Sequence, residues 1–290
     1  MLILAFMFLS NCNLSYLCSR VGDDGPSLFW NKRDLTYAIN SDLYNSLPDE
    51  RVRYAIEKSF LTWQEVYCSD INFSSSLSDS SLVGYDWRVP TDNENLIVFR
   101  NGASDDKLDK WRHDERSMAL TTTTFNSLTG EILDSDIEFN GVNFKFSACE
   151  PQENDCFVSY DIQNILTHEI GHFLGLDHPP KYQTGASETT MYYLSPKGEL
   201  KKRSLHIDDI NALCFIYPEA GPKNYCYDFV PRDKDLPIFN QVDSSSDLNC
   251  TSSKTSNLYY FILLYLLFFR YRYTKKRAKP RIKILQIKSF

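Results

Sequence analysis

Three histidines and a glutamate stand close together between positions 168 and 178 of the sequence. They belong to the pattern H-E-x-x-H-x-x-G-x-x-H, in which His168, His172 and His178 are the histidines. On an α-helix, residues four positions apart point the same way, so the imidazoles of His168 and His172 can bind one Zn²⁺ ion. Glu169 lies beside this pair, where its carboxylate reaches a metal-bound water rather than the metal. The spacing therefore predicts a metal site with a base next to it.

Gly175 and His178 complete the pattern. Glycine tolerates the left-handed backbone that reverses a chain, so Gly175 predicts the end of the helix and brings His178 back as a third ligand. Three protein ligands leave the fourth position of Zn²⁺ to water, which is typical of a catalytic rather than a structural site. Histidines also occur singly in protein cores. Burial of three histidines and a glutamate together, however, is costly unless their polar atoms bind a metal or form hydrogen bonds.

Helices and strands must hold this pattern in place, and the hydrophobic spacing predicts where they lie. A helix over 159–174 carries the first two histidines, and a last helix covers 206–216. An earlier helix begins at Pro48, because apolar residues recur every three or four positions after it. Residues 74–81 are predicted to form a polar loop. Strands are predicted at 35–39, 71–73, 96–99, 118–125 and 132–139.

Composition and charge limit the class of protein. Hydrophobic residues are 42% of the 290, and 19 Phe, 18 Tyr and 4 Trp exclude a disordered or collagen-like chain. Nine of the 31 Lys and Arg residues lie from Arg270 onward, where there are no acids. That leaves 22 bases against 38 acids in residues 1–269, a net charge of −16. An acidic body argues against nucleic acid as a partner.

The two ends of the chain predict export. An uncharged run of eight residues from Leu2 to Leu9 has the length of a signal-peptide core, and we place the signal peptide at 1–18. An uncharged run near the C-terminus is followed by the nine bases, which fits the positive-inside rule. We therefore predict a membrane or C-terminal sorting segment at 258–273 and a basic cytoplasmic tail at 274–290. The alternative is a buried core helix with a solvated tail. The main domain then covers 19–219, and a polar linker covers 220–257.

Eight cysteines accompany these export signals. No C-x-x-C pair occurs, which argues against a cysteine-type zinc ribbon or a thioredoxin-like site. In an exported protein, disulfides are expected. Cys149 and Cys156 are close enough in sequence for a local bridge, whereas the other pairings stay open.

The histidine motif resembles that of the metzincin metallopeptidases, and within that clan the chain is most similar to the matrixins, particularly bacterial secreted forms. The resemblance implies an α+β catalytic domain. It would have a twisted mixed sheet of about five strands, three helices, and zinc in a cleft below the edge strand. The segments that carry the resemblance are 35–40, 60–68, 71–73, 119–140, 161–178 and 205–218.

The resemblance also implies roles for single residues. His168, His172 and His178 would be the ligands of one catalytic Zn²⁺, and Glu169 would be the general base. Met191, in Thr190-Met191-Tyr192, would form the methionine turn that matrixins carry beneath the zinc. The expected activity is that of a metalloendopeptidase acting on extracellular polypeptides. The rival function is a non-catalytic zinc-binding module for adhesion or scaffolding at the cell surface.

The substrate side of the site is expected at two places. Ala119, Leu120 and Thr121 would begin the edge strand that pairs with an extended polypeptide. Residues 192–194 would wall a pocket for an apolar side chain after the scissile bond. The physiological substrate and the oligomeric state cannot be predicted from the sequence.

Departures from the animal matrixins concern latency and extra metals. No P-R-C-G-type propeptide motif occurs. His113 lies near the expected position of a second zinc, but the remaining ligands do not line up, so none is predicted. Asp134 and Asp136 alternate onto one face of a strand, where they either bind calcium or form a solvated face. His206 is interpreted as a surface or helix-capping histidine.

Overall fold

A computed structural model describes residues 16–90, 93–102, 109–149, 154–219 and 282–289, and three α-helices and eleven β-strands occur among them. The helices are α1 (Asp49–Gln64), α2 (Ile162–Phe173) and α3 (Ile207–Ile216). The longer strands are β3 (Asp34–Asn40), β4 (Asn72–Ser78), β5 (Leu96–Arg100), β6 (Ala119–Asn126), β7 (Glu131–Asn140) and β11 (Ile282–Ser289). The two-residue strands are β1 (Leu17–Cys18), β2 (Phe29–Trp30), β8 (Phe146–Ser147), β9 (Tyr160–Asp161) and β10 (Leu176–Asp177).

Seven of these strands form one mixed sheet in the order β11-β6-β7-β5-β3-β4, with β2 paired beside β7. Strands β4, β3, β5 and β7 run parallel, whereas β6 is antiparallel to β7 and β11 is antiparallel to β6. The predicted α+β fold with three helices is confirmed. The sheet is wider than the predicted five strands because β2 and β11 join it.

Strand β4 corrects the prediction of a polar loop at 74–81. Residues 74–78 continue the strand and pair with β3, from Thr36 opposite Ser74 to Asn40 opposite Ser78. Because β4 is the outermost strand, most of its side chains face solvent, where serines fit. The hydrophobic alternation on which the prediction depended is therefore missing from this strand.

Helices α1 and α2 pack together through aromatic side chains. The indole Nε1 of Trp63 on α1 donates a hydrogen bond to the carbonyl oxygen of Thr167 on α2, at 2.8 Å. The ring of Phe60 stacks on that of Tyr37 from β3, with 3.6 Å between centroids, and meets the edge of Phe173 at 6.1 Å. These contacts fix α2, and with it the first two histidines, against the sheet and α1.

The N-terminal residues of the described part belong to the folded domain. Tyr16 and Cys18 are buried, and Leu17 and Cys18 pair with Asp177 and Leu176 of β10. The signal peptide at 1–18 and the domain start at 19 stay predictions, and residues 16–18 pack with the domain in the structure. A signal peptide that ended at residue 18 would take with it a strand on which β10 depends.

Two disulfides are described. Cys149–Cys156 is the local bridge that the sequence predicts, and this prediction is confirmed. Cys68–Cys214 joins the segment after α1 to α3 across 146 residues, a pairing that spacing alone could not predict. Cys18 is also disulfide-bonded.

The predictions for the two ends of the chain concern mostly residues outside the described ranges, apart from the C-terminal tail. The linker at 220–257 and the apolar segment at 258–273 lie outside the described residues, as do residues 1–15 of the predicted signal peptide. Within the described ranges, none of the helices is both long and apolar enough to cross a bilayer. The tail predicted at 274–290 includes β11, and the structure pairs β11 with β6. The cytoplasmic location of this tail stays a prediction.

Candidate active site

Helix α2 begins at a capped N-terminus and carries two of the motif histidines. The carboxylate of Asp161 accepts a hydrogen bond from the backbone N–H of Asn164 at 2.8 Å, which satisfies one of the free amides of the first turn. His168 and His172 follow one turn apart on the buried part of the helix, each 1% exposed. The predicted helix at 159–174 is thus present, with its cap two residues after the predicted start.

Gly175 reverses the chain as predicted. Its φ is +93°, in the left-handed region, and a Cβ atom built there would lie 2.5 Å from the carbonyl oxygen of Leu28. After this turn, β10 leads directly to His178. The backbone N–H of Ser19 donates to the carbonyl oxygen of Gly175 at 2.9 Å, so the turn is tied to the N-terminal segment.

Substitution of Gly175 by valine is expected to lower the free energy of unfolding by about 2 to 4 kcal/mol. This estimate adds the cost of a left-handed valine to that of forcing its side chain against Leu28. Thermal or urea unfolding would measure the loss. Gly22 offers a matched control because its φ is +66° and nothing lies within 4 Å of a built Cβ. An equal loss in Gly22→Val would show that contact with Leu28 contributes nothing.

The three histidines meet at their Nε2 atoms. His168 Nε2 lies 3.1 Å from that of His178 and 3.1 Å from that of His172, and the last two are 3.0 Å apart. The Nδ1 atoms of His168 and His172 donate to the carbonyl oxygens of Thr190 and Leu176, at 2.7 and 2.9 Å. With its proton on Nδ1, a neutral imidazole presents a bare lone pair at Nε2.

These lone pairs fit a zinc ion. Burial lowers the pKa of all three imidazoles, so His168, His172 and His178 are neutral, the form that binds metal. Three lone pairs that converge in a buried space repel one another unless a cation lies between them. Tetrahedral Zn²⁺ bonded to nitrogen at about 2.05 Å would separate these atoms by about 3.3 Å, close to the distances found. In the described part of the chain, no other group of three metal-binding side chains converges in this way.

Glu169 lies beside this cluster and is not one of the converging groups. Its side chain is fully buried, and its Oε2 accepts a hydrogen bond from the Thr121 hydroxyl at 2.5 Å. Thr121 belongs to β6, so this hydrogen bond joins the strand expected to bind substrate to the carboxylate expected to act as base. The sequence predicts that Thr121 and Glu169 both lie at the site, but nothing in it indicates the hydrogen bond between them.

Met191 packs directly beneath α2. A Cβ atom built on Gly171 would lie 2.1 Å from the Met191 sulfur, so only glycine at this position lets the methionine approach the helix. The carboxylate of Asp209 on α3 accepts hydrogen bonds from the backbone N–H groups of Thr190 and Met191, at 2.8 and 3.3 Å. This arrangement orients the Thr190 carbonyl toward His168. A glycine inside a predicted buried helix indicates a close packing contact, so the sequence offers a sign of the role of Gly171. No sequence pattern indicates that Asp209 supports the loop at Thr190 and Met191.

A buried lysine supports the loop after Met191. The Nζ atom of Lys202 donates to the carbonyl oxygens of Tyr192 and Leu194 and to the Ser195 hydroxyl, at 2.5, 2.9 and 2.7 Å. Burial lowers the pKa of Lys202 to about 8. Sequence reasoning missed this residue because a lysine in a polar stretch ordinarily faces solvent.

Two residues of the predicted pocket wall at 192–194 line one cavity, and its role as the substrate pocket stays a prediction. Tyr192 and Leu194 line a cavity of about 500 Å³, together with Phe144 and with Met118, which directly precedes β6. Tyr193 is not among the lining residues. Its ring lies 6.4 Å from that of His178 instead.

The acidic pair expected to bind calcium or face solvent is buried. Both oxygens of Asp136 accept backbone hydrogen bonds, from Gly84 at 2.6 Å and Leu96 at 2.9 Å, which excludes the solvated-face reading. Burial and the neighbouring Asp134 raise the pKa of Asp136, and burial raises that of Asp134 to about 7. Calcium at this pair stays a prediction.

The two histidines outside the motif have structural partners. The Nε2 atom of His113 lies 3.0 Å from a carboxylate oxygen of Glu138, whose other oxygen accepts from Arg100 at 2.6 Å. His113 therefore has a carboxylate partner, and the absence of a second zinc there stays an expectation. His206 caps α3, with its ring accepting from the backbone N–H of Asp208 at 3.3 Å, so its predicted capping role is confirmed.

Comparison with known proteins agrees with this geometry. The family model described as Matrixin (Peptidase M10) matches residues 29–218. Metalloendoproteinase 2-MMP from Arabidopsis thaliana is 28% identical over 192 residues, which cover 64% of this chain and 42% of the relative. Metalloendoproteinase 1-MMP from the same plant is 24% identical over 195 residues, covering 65% and 44%. Serralysin from Photorhabdus sp. (strain Az29) is 30% identical over 103 residues, covering 36% and 20%. The chain thus spans less than half the length of these curated relatives.

Proposed function

The chain belongs to the matrixin family, as the match over residues 29–218 shows, and on this premise we propose that it is a zinc-dependent endopeptidase of extracellular proteins. One observation carries the proposal. Three neutral imidazole nitrogens converge within 3.1 Å of one another, beside a buried carboxylate that is not part of the cluster. Hydrolysis at a metal requires three ligands and a base that is not itself a ligand, whereas a purely structural site would use a fourth ligand.

In this proposal His168, His172 and His178 would hold a Zn²⁺ ion, which when bound would supply Lewis acidity to the attacking water and to the scissile carbonyl oxygen. Glu169 accepts the proton of that water as it attacks the carbonyl carbon, and then delivers the proton to the leaving amine. The Thr121 hydroxyl holds the Glu169 carboxylate in place through its hydrogen bond. Burial excludes bulk water from Glu169, which strengthens these electrostatic interactions.

Metal analysis combined with a peptidase assay tests the proposal. The purified full chain is expected to contain one zinc per molecule and to cleave an unfolded protein such as casein. A zinc chelator should abolish cleavage, and added Zn²⁺ should restore it. A chain that holds one zinc but cleaves no polypeptide would contradict the proposed enzyme and favour the adhesion or scaffold function instead.

Substrate selection is proposed to depend on the cavity bounded by Tyr192 and Leu194. Most of its lining is aromatic or aliphatic, which favours an apolar side chain of the substrate, although Arg116, Glu199 and Lys201 also line it. The acidic body of the chain makes nucleic acid an unsuitable partner.

Replacement of Lys202 by methionine is expected to raise KM for peptides with an apolar residue after the scissile bond by about 10-fold, with a smaller change in kcat. Methionine has nearly the volume of lysine but cannot donate hydrogen bonds, so two loop carbonyls lose their partner at a cost of about 1 to 3 kcal/mol. Steady-state kinetics over a peptide series measures the effect. Lys197 lies exposed in the same loop, and Lys197→Met should leave KM unchanged. Equal effects of the two substitutions would contradict a specific role for Lys202.

Export is the third part of the proposal. The Cys68–Cys214 and Cys149–Cys156 disulfides support an oxidising compartment for the domain. For residues 258–273, the pairing of β11 with β6 favours a sorting segment or a surface association over a membrane span that leads to a cytoplasmic tail. Protease added to intact cells should therefore digest an epitope placed after residue 290 as readily as the domain itself. An epitope that is protected while the domain is digested would support the span.

A further inference from the structure

The C-terminal strand β11 covers the edge of the sheet at which substrate is expected. All eight of its residues pair antiparallel with β6, from Ile282 opposite Asn126 to Ser289 opposite Ala119. In the described part of the chain, β6 would be the outer strand of this side of the sheet if β11 were absent. Addition of an extended segment to an exposed strand edge is a general mode of peptide recognition.

The side chains of β11 alternate between a buried and an exposed face. Ile287, opposite Thr121, is only 9% exposed, and Leu285, opposite Thr123, packs against the hydrophobic core. Ile284, on the other face, is 63% exposed. Directly opposed residues of an antiparallel pair have their side chains on the same face, so Leu285 and Ile287 lie on the face of β6 that is turned toward α2.

The register relates β11 to the candidate base. Thr121 donates its hydroxyl proton to Glu169, and Thr121 is the residue opposite Ile287. The backbone around Ile287 is therefore the part of β11 that pairs with the residue in contact with the base. An extended substrate with an apolar side chain at this position would occupy the same edge.

We propose that Ile282–Ser289 is an internal peptide ligand of the active site, which pairs along β6 and competes with polypeptide substrates. The proposal rests on the function proposed above for Glu169 and the three histidines. The β6 edge is then occupied by β11 of the same chain, and Leu285 and Ile287 are the side chains that anchor it.

The length of the segment before β11 and the charges of the chain both allow β11 to compete with substrate for the β6 edge. Residues 220–281, which join α3 to β11 in sequence, are long enough for any position on the domain, since an extended chain spans roughly 3.3 Å per residue. The basic C-terminal part, with nine Lys and Arg from Arg270 onward, is attracted by the net charge of −16 on residues 1–269. A tethered ligand acts at an effective concentration on the order of 1 mM. If its intrinsic Kd is on the order of 0.1 mM, it raises the apparent KM for substrate by about 10-fold.

A matched pair of isoleucine substitutions in the full chain tests the proposal. Ile287→Asp places a charge at the buried position, whereas Ile284→Asp places the same charge at the exposed one. Hydrogen exchange of the β6 amides and steady-state kinetics with a peptide substrate are measured for both variants and the wild type. We expect faster exchange in β6 and a KM about 10-fold lower for Ile287→Asp, with kcat unchanged and Ile284→Asp behaving like the wild type.

A synthetic peptide of residues 281–290 added to Ile287→Asp should restore the higher apparent KM, whereas a scrambled peptide should not. If Ile287→Asp folds poorly, the double variant Leu285→Gly/Ile287→Gly removes both anchors without adding charge and is measured in the same way. Unchanged β6 exchange in a folded variant would overturn the pairing. Faster exchange with an unchanged KM would overturn the competition. Faster exchange, with zinc bound and no cleavage by any variant, would support the pairing and count against the proposed peptidase.

Discussion

Replacement of Glu169 by glutamine is expected to lower kcat/KM for a peptide substrate by at least about 100-fold, the usual effect of losing a general base. Glutamine keeps the size of the side chain and can still accept the hydrogen bond from Thr121. It cannot take up the proton of the attacking water. The Glu169 carboxylate is not one of the three groups that converge on the metal site. The variant should therefore bind zinc as the wild type does, and its unfolding temperature should be unchanged.

Metal content separates the two roles that Glu169 could have. Zinc analysis of the purified Glu169→Gln protein should give the wild-type stoichiometry. Glu188, which is exposed, provides a control, since Glu188→Gln should change neither activity nor metal content. Loss of zinc from Glu169→Gln would show that the carboxylate is a ligand, and the proposed division of roles would be wrong.

Replacement of His178 by alanine is expected to lower zinc affinity and peptidase activity together, each by at least about 100-fold. Loss of a direct ligand should exceed the 10- to 100-fold effect that is typical of the partners behind a ligand. Titration with a competing chelator measures the affinity, and added Zn²⁺ should restore part of the activity. His113→Ala is the matched control, because His113 pairs with Glu138 away from the cluster. Equal affinities of the two variants for zinc would remove His178 from the ligand set.

The histidine motif could be predicted because its geometry is local. His168 and His172 are held by one helix, and a single glycine turn separates them from His178. Helix periodicity and the preference of glycine for positive φ are enough to predict such an arrangement. The longer hydrophobic strands and α1 could be predicted for the same reason, since each shows its buried face in a continuous stretch of sequence.

The supporting contacts join residues that are far apart in the sequence, and no local pattern indicates them. Thr121 reaches Glu169 across 48 positions, and Lys202 serves a loop eight to ten residues before it. The pairing of β11 with β6 is also out of reach. The sequence around Lys283 and Ile284 alternates basic and apolar residues, but its many bases predict a cationic tail more strongly than its short alternation predicts a strand.

The short pairing of β1 with β10 would connect any trimming of the N-terminus to the binding of the proposed zinc ion. His178 directly follows β10, and β10 is held in place by Leu17 and Cys18 and by the hydrogen bonds of Ser19 to Gly175 and Leu176. An enzyme that trims the N-terminus past Tyr16 would leave the motif intact yet release the third ligand from its support. The position of the mature N-terminus would then determine how firmly zinc is retained, and trimming would act as an irreversible means of demetallation.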